Sequence, residues 1–296
     1  MRRITILLIL AALLAAPASA LSIKKKSIRK LSQDPQITTL KSTTDFEKAV
    51  EAYEKDDYET AEEYMSKHLK KNPNHITGWA YMSAIYSEDG YPNDALEAID
   101  RARNLITNEE DTELLNWIYF TRSTIHMQLK EPEKAIEDLT LALKYDPKDV
   151  DSYFRRANIY HKQLKKYDLA MVDYGMVIQY EPKEVDGYLG LGAVAGSLEK
   201  RKDAIKAFTK AIALSPEEAE PYALRAVEYY NDWDYKKSAE DVISALEREP
   251  DNNRALWVLG YLKTNEDAIK DVTKVFKNKA KKSNDSSWLD LLKKDK

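Results

Sequence analysis

The stretch "AIKAFTKAIALSP", Ala204 to Pro216, decides the fold. Ala204, Phe208 and Ala211 fall at i, i+4 and i+7, one stripe of a helix with 3.6 residues per turn. Two small residues beside a large one make a notch with a peg in it, a face shaped for close approach by another helix. Pro216 lacks an amide hydrogen and restricts the residue before it, so the face ends there. The same interval from small residue to proline recurs as Ala61/Pro73, Ala135/Pro147, Ala170/Pro182 and Ser238/Pro250. Ala95 begins a further copy in which Thr107 replaces the proline. From Ala61 onward the steps are 34, 40, 35, 34 and 34 residues, the period of stacked supersecondary units. Neither helix of such a unit buries its apolar stripe alone, so neighbours must stack.

The rest of the chain is consistent with that reading. Its 296 residues are 32% charged and 10% aromatic, with only 8 Gly and 10 Pro, which suits a helix-rich protein and not a disordered one. There is no cysteine, hence no disulfide framework, thiol nucleophile or thiolate metal site. Arg2 and Arg3, the apolar run Ile4 to Ala16 and the small residues Ala18-Ser19-Ala20 read as a signal peptide over residues 1–20. The apolar run spans roughly 20 Å as a helix, short of a hydrocarbon core of about 30 Å. Cleavage near Ala20 exports the protein, periplasmic or secreted; the alternative is an uncleaved membrane anchor. Lys24, Lys25 and Lys26 favour that alternative, because basic flanks prefer the cytoplasmic side. Residues 21–41 form a basic arm whose segment 24–30 can touch a membrane surface. Residues 263–296 hold ten lysines against six acids, which leaves residues 34–262 with a net charge of about −15. A nucleic-acid binder would carry the reverse, a basic stripe on its folded part.

The repeat resembles the tetratricopeptide repeat. That family places a large residue at position 4, small ones at 8, 20 and 27, an aromatic at 11, a large one at 24 and proline at 32. Trp79, Ser83, Tyr86, Ala95, Ile99 and Ala102 match in the second copy. Tyr153, Ala157, Tyr160, Ala170, Tyr174 and Pro182 match in the fourth, with one residue extra in the turn between its helices. Tyr188, Gly192, Ala204, Phe208, Ala211 and Pro216 match in the fifth, and Tyr222, Ala226, Tyr229, Ala245 and Pro250 in the sixth. The third departs at Ser123 and His126, and the first is ragged around Phe46 to Tyr53. The resemblance implies an all-α, right-handed superhelical solenoid of antiparallel helix pairs over residues 42–262. That is about six repeats plus a seventh leading helix, "NRALWVLGYLK", and residues 263–296 form a lysine-rich cap and tail.

In that family the leading helices line a concave groove through positions 2, 5, 6, 9 and 12. Carried over, the groove holds Phe120, Thr121, Thr124 and Met127, then Phe154, Arg155, Asn158 and His161, then Gly190, Ala193 and Gly196, then Val227 and Tyr230. The fifth copy is bare where its neighbours are bulky. Either its glycines let helices approach closely, or they floor a cleft for a partner's side chain. The family's basic clamp on a C-terminal carboxylate is not reproduced, since position 5 carries no lysine. The implied partner is a protein or peptide segment, basic or neutral given the acidic body, and neither nucleic acid nor cofactor is implied.

One internal correlation needs no family. Arg122, Arg156 and Arg225 stand at position 7 of three copies, and Asp138, Asp173 and Asp241 follow them by 16, 17 and 16 residues. Copies with Met82 or Leu191 there carry Ala98 or Ala207 instead. The covariation predicts a charge pair between the two helices of a repeat. Elsewhere chemistry is sparse. The four histidines are scattered without metal-ligand spacing, and no catalytic constellation exists. "GLGAVAG", Gly190 to Gly196, imitates a dinucleotide fingerprint but falls inside an expected helix. The acidic clusters lack the glycine and spacing of a calcium loop. The sequence therefore points away from an enzyme and names no metal or cofactor. The tail "SSWLDLLKK" is expected to fold back on the cap or to recruit a partner.

Overall fold

In the computed structural model the described residues are 44–107 and 111–293. The signal peptide and basic arm lie outside them, as does the middle of the longer connection between the second and third copies. The described residues form helices α1 (Asp45–Glu54), α2 (Tyr58–Lys71), α3 (Ile76–Glu88), α4 (Pro92–Leu105), α5 (Thr112–Gln128), α6 (Pro132–Tyr145), α7 (Val150–Asn158), α8 (Tyr167–Tyr180), α9 (Val185–Ser197), α10 (Arg201–Leu214), α11 (Glu220–Asn231), α12 (Tyr235–Arg248), α13 (Asn253–Thr264), α14 (Ile269–Ser283) and the short α15 (Ser287–Asp290). No strand occurs among them, and none is long and apolar enough to cross a membrane.

The chain divides into two compact units at Leu164/Lys165. In the first, α1/α2, α3/α4 and α5/α6 pair as hairpins, α7 packs on α6, and leading helix contacts leading helix from α1 to α3 to α5. In the second, α8 packs on α9, α9/α10 and α11/α12 pair, and α13 and α14 both pack on α12. Each unit is thus an all-α stack of helix pairs, as the period leads one to expect.

Its joints follow from the repeat's residue types. Small residues at positions 8 and 20 bring backbones together closely enough for a hydroxyl to bridge them. Ser83 donates to the Ala95 carbonyl at 2.8 Å, and Ser238 donates to the Ala226 carbonyl at 2.8 Å with the roles reversed. The ring at position 4 reaches back to the closing proline: Trp79 Nε1 donates to the Pro73 carbonyl at 2.8 Å, and Tyr153 and Tyr188 do the same to Pro147 and Pro182 at 3.3 and 3.2 Å. A proline therefore ends one unit, and its free carbonyl seats the next.

Each turn between the helices of a copy contains one left-handed residue: Asp56, Gly90, Lys130, Lys165, Glu199 and Trp233, with φ between 53° and 86°. Their spacing is the repeat period itself, yet only Gly90 has the side chain that makes such a φ cheap. The fourth copy corrects the sequence expectation. Its extra residue is absorbed at the end of the leading helix, where Ile159–Gln163 form a π turn and the Leu164 amide bonds the Ile159 carbonyl at 3.1 Å. A widened turn takes up one residue without disturbing the αL turn that follows.

The end of the chain is closed by α14. Val272, Val275, Phe276 and Ala280 are buried, whereas Lys270, Lys274, Lys277 and Lys281 form an exposed stripe. The tail folds back: Trp288 packs edge-on against Phe276 at 6.3 Å, with the Lys279 ammonium 5.4 Å above its ring.

Candidate functional site

The arginines at position 7 tie helices together. Arg122 forks onto Asp138, Nε at 3.0 and 3.1 Å from the two oxygens and Nη2 at 2.6 Å from Oδ1, while Nη1 reaches Asp100 at 2.9 Å. Arg225 forks onto Asp241 at 2.7 and 2.8 Å, and its Nη1 donates to Thr209 Oγ1 at 2.9 Å. Arg156 donates to Thr140 Oγ1 at 3.0 Å. Both threonine hydroxyls give their own proton to a carbonyl four residues back, which leaves the oxygen free to accept. Each arginine thus holds the preceding copy as well. Asp100, Thr140 and Thr209 all stand at position 25, while Ser66, Gly175 and Ile243 stand there before copies without the arginine. That second covariation was present in the sequence and unread.

On the leading-helix face of the first unit, Phe120, Thr124 and His161 are buried, and Met127, Phe154, Arg155 and Asn158 are half-buried. The Arg155 guanidinium stacks on Phe120, 4.5 Å from the ring centre, and donates to Thr124 Oγ1 at 2.7 Å. Burial pulls its pKa down to about 10, opposed only by the charge of Asp149. Burial likewise holds His161 down to about 4, with Lys162 adding to the effect, so its ring is neutral. His126 is a structural contact, its Nδ1 at 2.8 Å from Glu131.

In the second unit the fifth copy's glycines are filled by neighbours. A Cβ on Gly190 would stand 2.5 Å from Tyr174 Cδ1, and one on Gly192 would stand 2.6 Å from Phe208 Cε1. The carboxylate of Glu228 occupies the space beside Gly196, with Oε1 2.6 Å from where a Cβ would lie. Of the two readings of these glycines, close packing describes these three points, because α8, α10 and α11 each use the missing side chain as a socket. Ala193 is half-buried, Val227 is buried, and Tyr230 sits against Tyr235 and Tyr261. Gly190 to Gly196 lie within α9, so the dinucleotide-like string is helical, as expected.

The tetratricopeptide-repeat profile matches residues 118–149, 150–184 and 185–218, in phase with the third, fourth and fifth copies. Residues 118–218 are tetratricopeptide repeats. Solved structures share its fold. The C-terminal part of a TPR repeat-containing protein from Cytophaga hutchinsonii aligns at a TM-score of 0.66 with 18% identity, covering 84% of this chain and 100% of that one. A tetratricopeptide repeat protein from Parabacteroides merdae aligns at 0.60 with 20% identity, covering 90% and 98%. YrrB, described as a TPR protein with an unusual peptide-binding site, aligns at 0.53 with 16% identity, covering 65% and 96%. No curated protein sequence matches.

Sequence reasoning missed Glu228, because an isolated glutamate in a charged helix carries no signal of burial. It is 6% exposed, and its side chain makes no hydrogen bond or ion pair among the described residues. Burial pushes its pKa up to about 7; Arg201 on α10 pulls it down, and Asp232 on its own helix pushes it up. The folded state thus binds a proton that the unfolded chain, at an ordinary 4.5, releases. The resulting stabilisation is full below pH 4.5 and lost as pH rises through about 7, with a magnitude of about 3 kcal/mol. Glu228→Gln should raise the melting temperature at pH 8 and flatten its fall between pH 5 and 8. Parallel pH profiles for the two proteins would contradict this.

Proposed function

We propose that this protein is a non-enzymatic scaffold, exported after cleavage near Ala20, that holds a protein or peptide segment in the concave groove of its leading helices. The observation that carries the reading is the row Met127, Phe154, Arg155 and Asn158, half-open side chains of mixed character on helices whose other faces are packed. Apolar rings flanking a few fixed donors suit a peptide better than a small polar metabolite. The peptide-binding site described for YrrB supports the assignment by analogy of fold. The charge of the body, about −15, favours a segment that is basic or neutral overall.

The test is affinity capture from native extract with the chain beginning at Leu21. Phe154→Glu should lose the captured partner, and Val172→Glu, at a residue 62% exposed on α8, should keep it. Equal capture by both variants would remove the groove from the account. The lysines at 24–26 favour a second reading, an adaptor tethered by an uncleaved N-terminus. N-terminal sequencing of the mature protein separates the two, since a start at Leu21 leaves no tether.

A further inference from the structure

Five aromatic rings of the second unit lie in one continuous row. Trp233 packs against Tyr235 at 6.2 Å between ring centres, Tyr235 against Tyr230 at 5.6 Å, Tyr230 against Tyr261 at 6.1 Å and Tyr261 against Trp257 at 4.6 Å. Neighbouring planes are inclined at 56° to 75°, so the rings form angled walls and not a flat stack. Asn265, the C-cap of α13, holds two of them in place. Its Nδ2 donates to the Tyr230 and Tyr235 hydroxyls at 3.4 and 3.3 Å, while its Oδ1 accepts from the Asp267 amide at 2.9 Å. Tyr235 is buried, Tyr230, Trp257 and Tyr261 are half-buried, and Trp233 is 68% exposed.

Elsewhere the chain covers its rings with its own cations. The Arg248 guanidinium lies 4.2 Å from the Tyr222 ring centre, Arg101 lies 4.7 Å from that of Trp79, and the Lys237 ammonium 5.2 Å from that of Tyr229. Among the described residues no arginine or lysine lies over any ring of the row. Acids stand beside it uncancelled: Asp232 precedes Trp233, Asp267 follows Asn265, and both are exposed without an ion pair among the described residues. The backbone adds an independent contrast. Trp233 occupies the left-handed turn position, φ 65°, where the other five copies carry Asp56, Gly90, Lys130, Lys165 and Glu199. A bulky side chain strains the chain there, and one so exposed gains little burial in return. Folding alone gives no reason for tryptophan at that turn. An aromatic face attracts a cation through its quadrupole, and rings set at an angle surround one.

We propose that this aromatic row is a subsite for one cationic side chain, a lysine or arginine of the bound segment. Trp233, Tyr230, Tyr261 and Trp257 supply the walls, and Asp232 and Asp267 supply the opposing charge. This rests on the leading-helix groove being the binding face. Tyr230, Trp257 and Tyr261 stand at repeat positions 12, 5 and 9, all of them groove positions. That continuity with the groove makes a side chain of the segment the source of the cation, and not a free ammonium ion. Trp257 holds the position where a carboxylate clamp would put lysine, so the polarity of the recognition is reversed. The acidic body draws in a basic segment from a distance, while the row selects which of its residues stops here.

The experiment uses the nitrogen-15-labelled full chain and the indole N–H signals of its five tryptophans, with Trp233 and Trp257 assigned by Trp233→Gly and Trp257→Phe. The probe is the blocked peptide acetyl-Ala-Ala-Arg-Ala-Ala-amide at millimolar concentration, compared with its lysine and citrulline counterparts. The Trp233 and Trp257 signals should move with the arginine or lysine peptide and stay in place with the neutral citrulline one. Trp233→Gly should weaken the Trp257 response about threefold or more, while the melting temperature holds or rises because glycine suits the turn. A melting temperature that falls would make Trp233 a packing residue and remove it from the subsite. Equal responses to the arginine and citrulline peptides, or no response to any, overturn the subsite. A response to tetramethylammonium chloride as strong as that to the arginine peptide overturns the side-chain source. Partner capture that survives Trp233→Gly but not Phe154→Glu would discard the cation subsite and keep the groove.

Discussion

Arg122→Ala is expected to cost the first unit about 3 kcal/mol, read as a lowered urea midpoint of the full chain. Asp138 is 2% exposed and spends both oxygens on the arginine. Without Arg122 the carboxylate keeps only the His126 Nε2 at 3.5 Å, and that ring is held by Glu131 through its other nitrogen. Burial already lifts the Asp138 pKa above the usual carboxylate range, with Arg122 pulling the other way. Removing the arginine therefore leaves a charge that has been taken out of water with little to oppose it. Asp138→Ala should cost less, about 1–2 kcal/mol, because Arg122 is partly solvated and still holds Asp100 at 2.9 Å. The double variant should fall short of the sum by at least about 1 kcal/mol. Additive losses would mean that the fork contributes nothing beyond its separate side chains. The loss at Arg122 should exceed that at Arg225, since Arg225 meets a neutral threonine where Arg122 meets a second carboxylate.

How much of this was readable in advance depended on whether a feature repeats. The helix pairs were legible because Ala204, Phe208, Ala211 and Pro216 have counterparts one period away in either direction. The Arg122–Asp138 and Arg225–Asp241 pairs were legible because copies with methionine or leucine at position 7 serve as controls inside the same chain. The link from each arginine to position 25 of the preceding copy obeys the same logic, but it joins successive copies and so lies outside the pattern of any single repeat. The left-handed turns were hidden for a different reason. Five of the six carry ordinary side chains, so backbone strain leaves no residue-type signature there. The π turn was misplaced because a count of residues shows that one is extra and not which hydrogen bond widens to admit it. Trp233 and Tyr261 belong to a third kind: an aromatic residue in a repeat looks like core, and only the placement of the chain's own arginines and lysines reveals rings without a cation. Tyr230 was placed on the groove by position alone, and its uncovered ring could be seen only against rings such as that of Tyr222.

The glycines of α9 yield the second large effect, and it bears on what the fifth copy is for. Gly190→Ala should destabilise the second unit by about 2–3 kcal/mol, because its methyl group would fall on the Tyr174 ring. That ring is 1% exposed and cannot swing aside without dragging α8 from α9. Gly175 and Gly260 are the controls. Both lie within helices with nothing within 4 Å of a Cβ, so Gly175→Ala and Gly260→Ala should each stabilise by about 0.5–1 kcal/mol through helix propensity. The same substitution thus changes sign with the space around it. Tyr174→Leu combined with Gly190→Ala should recover part of the loss, since a smaller, flexible side chain makes room for the methyl group. If Gly190→Ala instead melted like the wild-type protein and only partner capture fell, α8 would have to yield without cost. The space beside Gly190 would then belong to a ligand and not to Tyr174. Burial of the ring argues for the first outcome: a glycine already serving as the socket for a tyrosine from the neighbouring helix has no room left for a partner's side chain.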